Sequence, residues 1–164
     1  MNYFALSGGN LSIYPLVILL WLTATGASVS APVCNAKGKV YTSLRDALVD
    51  FARSELGTPY AWGGARPSGF DCSGLVQYSF DRIGIEVPRT AAQQRAVSTP
   101  LGIRQLKPGD VVFFVTNHSQ NHVGIYIGGG KFIHAPRSGE DVMTSTLDDP
   151  YWRKAFARAG SFFN

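Results

Sequence analysis

The 164-residue chain reads as an α+β protein whose N-terminal helices pack on one face of a central antiparallel sheet. Three observations predict this. Residues 43–97 carry helical periodicity with capping signals. Residues 106–136 carry β-branched and aromatic runs punctuated by Pro-Gly and Gly-Gly turns. The helices come first and the strands follow, in a chain whose 45% hydrophobic content supports one proper core.

The first helix is predicted over "SLRDALVDFARSELG" (43–57). Leu44, Ala47, Leu48, Phe51, Ala52 and Leu56 fall on one face at helical spacing. Ser43 with Asp46 three residues on makes a capping-box-like start, and Gly57 is a natural stop. "TPYAWGGARPSGF" (58–70) is rich in turn residues and aromatics and reads as an ordered loop. Asp71 then caps a second helix that buries Leu75, Val76, Phe80 and Ile83 and ends at Gly84. Thr90 and Gln93 form the capping box of a shorter third helix within 88–97. "LKPGDVVFFV" (106–115) predicts a buried strand, and "HVGIYIGGGKFIHAP" (122–136) a hairpin. "YWRKAFARAGSFF" (151–163) is compatible with a short helix and a closing strand.

The first 36 residues hold no Lys, Arg, Asp or Glu. Within them "IYPLVILLWL" (13–22) is a compact apolar run, followed by the small, polar "TATGASVSA" (23–31). Residues 1–31 therefore read as a secretory signal or N-terminal anchor, 32–42 as a connector and 43–164 as the folded domain. The apolar run is too short for a full span of roughly 20 residues. Val33 before Cys34 spoils a lipidation box, so export is favoured over anchoring. The net charge of +4 suits an anionic partner such as a carboxylate-rich wall polymer. No Lys/Arg cluster of the nucleic-acid kind is present, so no nucleic-acid partner is expected, and contact with a membrane would come only through a retained leader or lipid.

"GFDCSG" (69–74) places one of only two cysteines directly after the Asp71 cap. A thiol in the first helical turn meets unpaired backbone N–H groups and the positive dipole end, which favour a thiolate. The same N–H groups could hold an oxyanion. Gly74 and Ser73 would keep the approach open. Two plainer explanations compete: a cysteine merely packed on a helix, and a Cys34–Cys72 disulfide in an exported chain.

Three histidines are present: His118, His122 and His134. With Gly128–Gly130 as a three-residue hairpin loop, Gly124 faces His134, and His122 becomes its diagonal neighbour on the same sheet face. Such pairs lie roughly 7–8 Å apart at the backbone, within reach of ring side chains. A two-residue loop would shift the register and put the rings on opposite faces. One ring can hold the other in its working tautomer; the alternative is a satisfied histidine pair near the core. His118 in "TNHSQN" reads as solvated. His118 and His122 have HxxxH spacing, but on a strand-like segment without further ligands they make a poor metal site, and neither metal nor cofactor is expected.

Taken in order, "GTPYAWGG" (57–64), "GFDCSGLVQYSF" (69–80), "PRTAAQQ" (88–94), "LKPGDVVFF" (106–114) and "HVGIYIGGGKFIHAP" (122–136) resemble the NlpC-type, papain-like cell-wall endopeptidases over residues 44 to 160. The resemblance implies a papain-like fold. It makes Cys72 the nucleophile, His122 the general base and acid, and His134 the residue orienting it. Tyr60 matches a pocket tyrosine that helps with oxyanion or substrate. Asp71 and Ser73 match positions that in some members bind the free amine of a stem peptide. Trp62 is expected to pack within its loop. The implied reaction is hydrolysis of an amide bond in the peptide stem or cross-link of peptidoglycan through a thioester, by a monomer. Amidase or acyl-transfer chemistry on the same residues, or a silent wall-binding module, are the alternatives. The C-terminal "FARAGSFFN" departs from the pattern in lacking the family's paired arginines.

Overall fold

Local capping sets the helices in the computed structural model, which describes residues 40–116 and 121–163. The leader, Cys34 and His118 lie outside the described residues. Helix α1 (Leu44–Ser54) begins where the Ser43 hydroxyl accepts from the Asp46 N–H. It ends a turn before Gly57, whose positive φ of 84° serves the following turn and whose N–H donates to the Val142 carbonyl. Ala47, Leu48, Phe51 and Ala52 are buried as the periodicity requires. Leu44 and Leu56, at the two ends, stay largely exposed, because the packed face is shorter than the apolar stripe.

The loop that follows folds into a two-strand hairpin, β1 (Ala65–Arg66) with β2 (Gly69–Phe70). Asp71 caps α2 (Cys72–Asp81) by accepting from the Gly74 N–H, and Leu75, Val76 and Phe80 on its inner face are fully buried. Thr90 and Gln93 cap α3 (Ala91–Val97) reciprocally.

Six strands form the main sheet: β3 (Thr99–Leu101), β4 (Val111–Val115), β5 (Asn121–Gly128), β6 (Lys131–His134), β7 (Met143–Thr146) and β8 (Phe156–Ser161). Their order is β3-β8-β4-β5-β6-β7, and every neighbouring pair is antiparallel. The α+β class and its antiparallel sheet are as the sequence predicts. Both faces, however, are covered. Val111, Phe113, Val123, Ile125 and Ile133 pack with Leu48, Leu75 and Phe80 of the helices. Val112, Phe114 and Phe132 pack with Ala155 and Trp152 of a fourth helix, α4 (Pro150–Ala155). That double cover explains why β4 reads "VVFFV" without alternation.

The β5–β6 hairpin reaches the predicted register by a different route. Gly128 pairs with Lys131, so the turn is only Gly129–Gly130, both at positive φ. A bulge at Ile127 then shifts the ladder by one residue, and Tyr126 pairs with Phe132 and Ile125 with Ile133. Without that extra residue the two histidines would face opposite sides of the sheet. A Cβ on Gly124 would meet the Phe132 ring at 2.6 Å, so the space Gly124 leaves is filled by Phe132.

Candidate active site

Cys72 opens α2 at the floor of a cleft of about 830 Å³. Its thiol is free among the described residues, and Cys34, the other half of the disulfide alternative, lies outside them. The backbone N–H groups of Cys72, Ser73 and Val123 lie near enough to the sulfur to favour its charged form. The last of these belongs to the residue after His122, so the helix tip and the start of β5 meet at the sulfur. Cys72 and His122 line the same cleft.

His122 lies opposite Phe114 in the β4–β5 ladder, on the sheet face away from α1 and α2. Its Nε2 is 2.9 Å from His134 Nδ1, and the rings meet edge to face. His134 Nε2 in turn lies 2.9 Å from the Ser145 hydroxyl on β7. Nδ1 of His122 is the nitrogen that His134 leaves unengaged. Trp152 of α4 stacks on the His122 ring at 5.4 Å and 25°, and meets His134 edge-on. Both histidines are buried, His134 to within 1%. The indole therefore shields the imidazole pair from water.

Electrostatics at the sulfur differ from the sequence expectation of a depressed thiol. Burial pushes Cys72 up to about 11, and the Asp71 carboxylate adds to the rise; the three amides pull the other way and lose. Burial lowers His122 to about 4. It lowers His134 to about 3, with help from repulsion by His122. Each group taken singly thus favours its neutral form. An opposite charge on the partner works against both shifts, so thiolate and imidazolium are favourable only as a pair.

Asp71 is the knot of the loop. It accepts from the amides of Gly74 (2.7 Å) and Gly63 (3.1 Å), from the Ser73 hydroxyl (3.2 Å), and from Arg89 through both oxygens, at 2.6 and 3.0 Å. Burial pushes its carboxyl up, but the bonds from Arg89 and Gly74 outweigh burial and hold it below the usual range. Tyr60 lines the cleft near enough for the Cys72 charge to act on its phenol, which burial and then Cys72 push upward. Ser73 also lines the cleft. All six predicted site residues, Tyr60, Asp71, Cys72, Ser73, His122 and His134, thus fall within one cluster.

Two expectations are corrected. Gly74 does not open the approach to the sulfur; it is buried against the Gly64 backbone, where a Cβ would collide with a carbonyl. Trp62 does not pack within its loop but stands 83% exposed at the cleft rim. Arg89, Ser145 and Trp152 were not singled out by sequence reasoning. Only Arg89 had a signal, a lone cation inside the "PRTAAQQ" motif within reach of a buried cap. Among the described residues no group of three or more His, Cys, Asp or Glu is placed to hold a metal.

A cysteine at a helix tip that shares a cleft with a strand-borne histidine, itself backed by a second histidine, is an arrangement of the papain-like class. Residues 57–161 match the NlpC/P60 family, and the chain belongs to that family. It is 40% identical over 148 residues to the probable endopeptidase NlpC of Escherichia coli K12, covering 88% of this chain and 96% of that one. It is 40% identical over 129 residues to the murein DD-endopeptidase MepH of the same organism, covering 75% of this chain and 47% of MepH. The crystal structure of the NlpC/p60 domain of the peptidoglycan hydrolase SagA superposes with a TM-score of 0.63 at 36% identity, covering 72% of this chain and 98% of that domain. The chain spans about half the length of several relatives it matches.

Proposed function

We propose that this protein is a cysteine endopeptidase that hydrolyses an amide bond in the peptide stem or cross-link of bacterial peptidoglycan. One observation carries the proposal: a free thiol at a helix tip shares a cleft with His122, whose far nitrogen is held by His134. Family membership and the peptidoglycan-directed relatives support the substrate class.

The chemistry follows from the neutral resting state. As Cys72 Sγ attacks the carbonyl carbon, its proton passes to Nδ1 of His122. The carbonyl oxygen takes the electron pair, and backbone N–H groups at the tip of α2 stabilise it, with the Tyr60 hydroxyl at the cleft wall as a further donor. His122, now an imidazolium held through Nε2–H by His134, delivers the proton to the departing amine. A thioester remains. Water, deprotonated by His122, releases the acid and restores the thiol. Asp71, held ionised by Arg89, offers a negative site for a substrate amine beside Ser73.

Residues 1–31 serve as an export leader in this proposal, with 43–164 acting in the cell envelope. The basic net charge suits a carboxylate-bearing polymer. The two candidate bonds are the one between D-glutamate and the diamino acid and the cross-link at the diamino acid.

Mass spectrometry of defined muropeptides tests all of this. Wild-type protein should release fragments cut at one of these bonds, and Cys72→Ala should release none while keeping its circular dichroism. Intact cleavage by Cys72→Ala would sink the proposal. Capture of an added amine as a new amide would point to acyl transfer instead.

A further inference from the structure

Beyond His134 the hydrogen-bond chain continues to a fourth residue. Ser145 sits on β7, opposite Phe132 in the β6–β7 ladder, which makes it the diagonal neighbour of His134 on the same sheet face. Its hydroxyl lies 2.9 Å from His134 Nε2. His134 is 1% exposed, and its two ring nitrogens have one partner each, His122 and Ser145.

A neutral imidazole carries one N–H and one bare nitrogen, so the pair can be wired in two directions. In one, His134 donates through Nε2–H to Ser145 and accepts at Nδ1 from Nε2–H of His122. Nδ1 of His122 is then bare and can take a proton from the thiol. In the other, Ser145 donates to His134 Nε2, and His134 donates through Nδ1–H to His122. The His122 proton must then sit on Nδ1, which can accept nothing. Only the first wiring supports general-base chemistry.

We propose that Ser145 is a positioning residue whose hydroxyl supplies the acceptor that the His134 Nε2–H needs, so that the productive wiring of the two histidines can be populated. It touches neither substrate nor sulfur and acts only through His134. The hydroxyl can serve either wiring; without it the Nε2–H tautomer leaves a buried donor unpartnered, whereas the Nδ1–H tautomer leaves only a bare nitrogen, so the balance moves toward the unproductive wiring. The inference rests on Cys72 and His122 as nucleophile and base, and its spectroscopic test stands apart from activity.

The experiment compares wild type, Ser145→Ala and Ser145→Thr. Nitrogen-15 NMR of His134, recorded on the full chain carrying Cys72→Ala to prevent turnover, should show a substantial Nε2-protonated population in the serine and threonine proteins. The alanine protein should show that population shifted toward the Nδ1-protonated form. In the cysteine-containing series Ser145→Ala should lower kcat by about tenfold with KM unchanged, the size of one lost hydrogen bond's preference, and Ser145→Thr should restore it. An unchanged His134 tautomer in the alanine protein, or a shifted tautomer with unchanged kcat, would overturn the proposal. Should the wild type prove inactive, the NMR comparison still decides the tautomer while the failure falls on the endopeptidase assignment.

Discussion

The buried histidine pair makes stability depend on pH above the carboxylate range. His122 and His134 ionise at about 4 and about 3 in the folded protein, against an ordinary 6.5. A depressed histidine pKa means the unfolded chain binds the proton first, so stability is complete above pH 6.5 and is lost as pH falls toward 4. At pH 5 each ring lies about 1.5 pH units below its unfolded pKa while still neutral when folded. At about 1.4 kcal/mol per unit, each costs about 2 kcal/mol, or about 4 together. That is a large part of a typical domain stability of about 5–15 kcal/mol. Urea denaturation at pH 7 and pH 5 measures it. Wild type should lose about 4 kcal/mol between the two, and His122→Gln, which removes one of the two titrations, about half as much. Parallel losses in the two proteins would refute the burial argument, because the drop would then come from groups elsewhere.

Three further outcomes follow from the same geometry. His122→Ala should abolish muropeptide hydrolysis, whereas His134→Ala should lower kcat by about 10- to 100-fold, since it removes an orienting bond rather than the base; equal losses would count against the orienting role. Gly124→Ala must move the Phe132 ring and should cost about 1–3 kcal/mol in thermal or urea unfolding. Unchanged stability there would show that the sheet yields more easily than the 2.6 Å approach implies. Arg89→Ala strips the mostly buried Asp71 carboxylate of its cation; with the arginine itself about one-third exposed, a loss of about 1–2 kcal/mol is expected, read by the urea midpoint.

What the sequence revealed tracks how locally each feature is encoded. Ser43, Asp71 and Thr90 announced their helices because a cap bonds to an amide two or three residues on. The histidine pair was legible because strand parity fixes faces, yet the loop length was misjudged: nothing in "IGGGK" distinguishes a three-residue loop from a two-residue turn with a bulge at Ile127. Strand β7 went unread because "MTST" is polar and half exposed, lacking an apolar signal. Ser145 was hidden with it, its role existing only through a neighbour eleven residues earlier. Trp152 lay in a segment of ambiguous period, and its contact with His122 depends on α4 crossing to the far face. The thiol's upward shift could not be read at all, since it measures surroundings assembled from α2, β5 and the loop at Asp71.

Strand β8 has a kinetic consequence. It lies between β3 and β4, and among the described residues β3 has no other partner in the sheet. Residues 99–101 and 111–115 must therefore wait for residues 156–161 before they share a ladder, so the pairing that completes the sheet spans some sixty positions. A nascent chain emerging from the ribosome stays without its interior strand until nearly the whole domain has been made. The C-terminal strand is thus the piece the sheet waits for, and a chain cut short of residue 156 would leave β3 without the neighbour that joins it to β4.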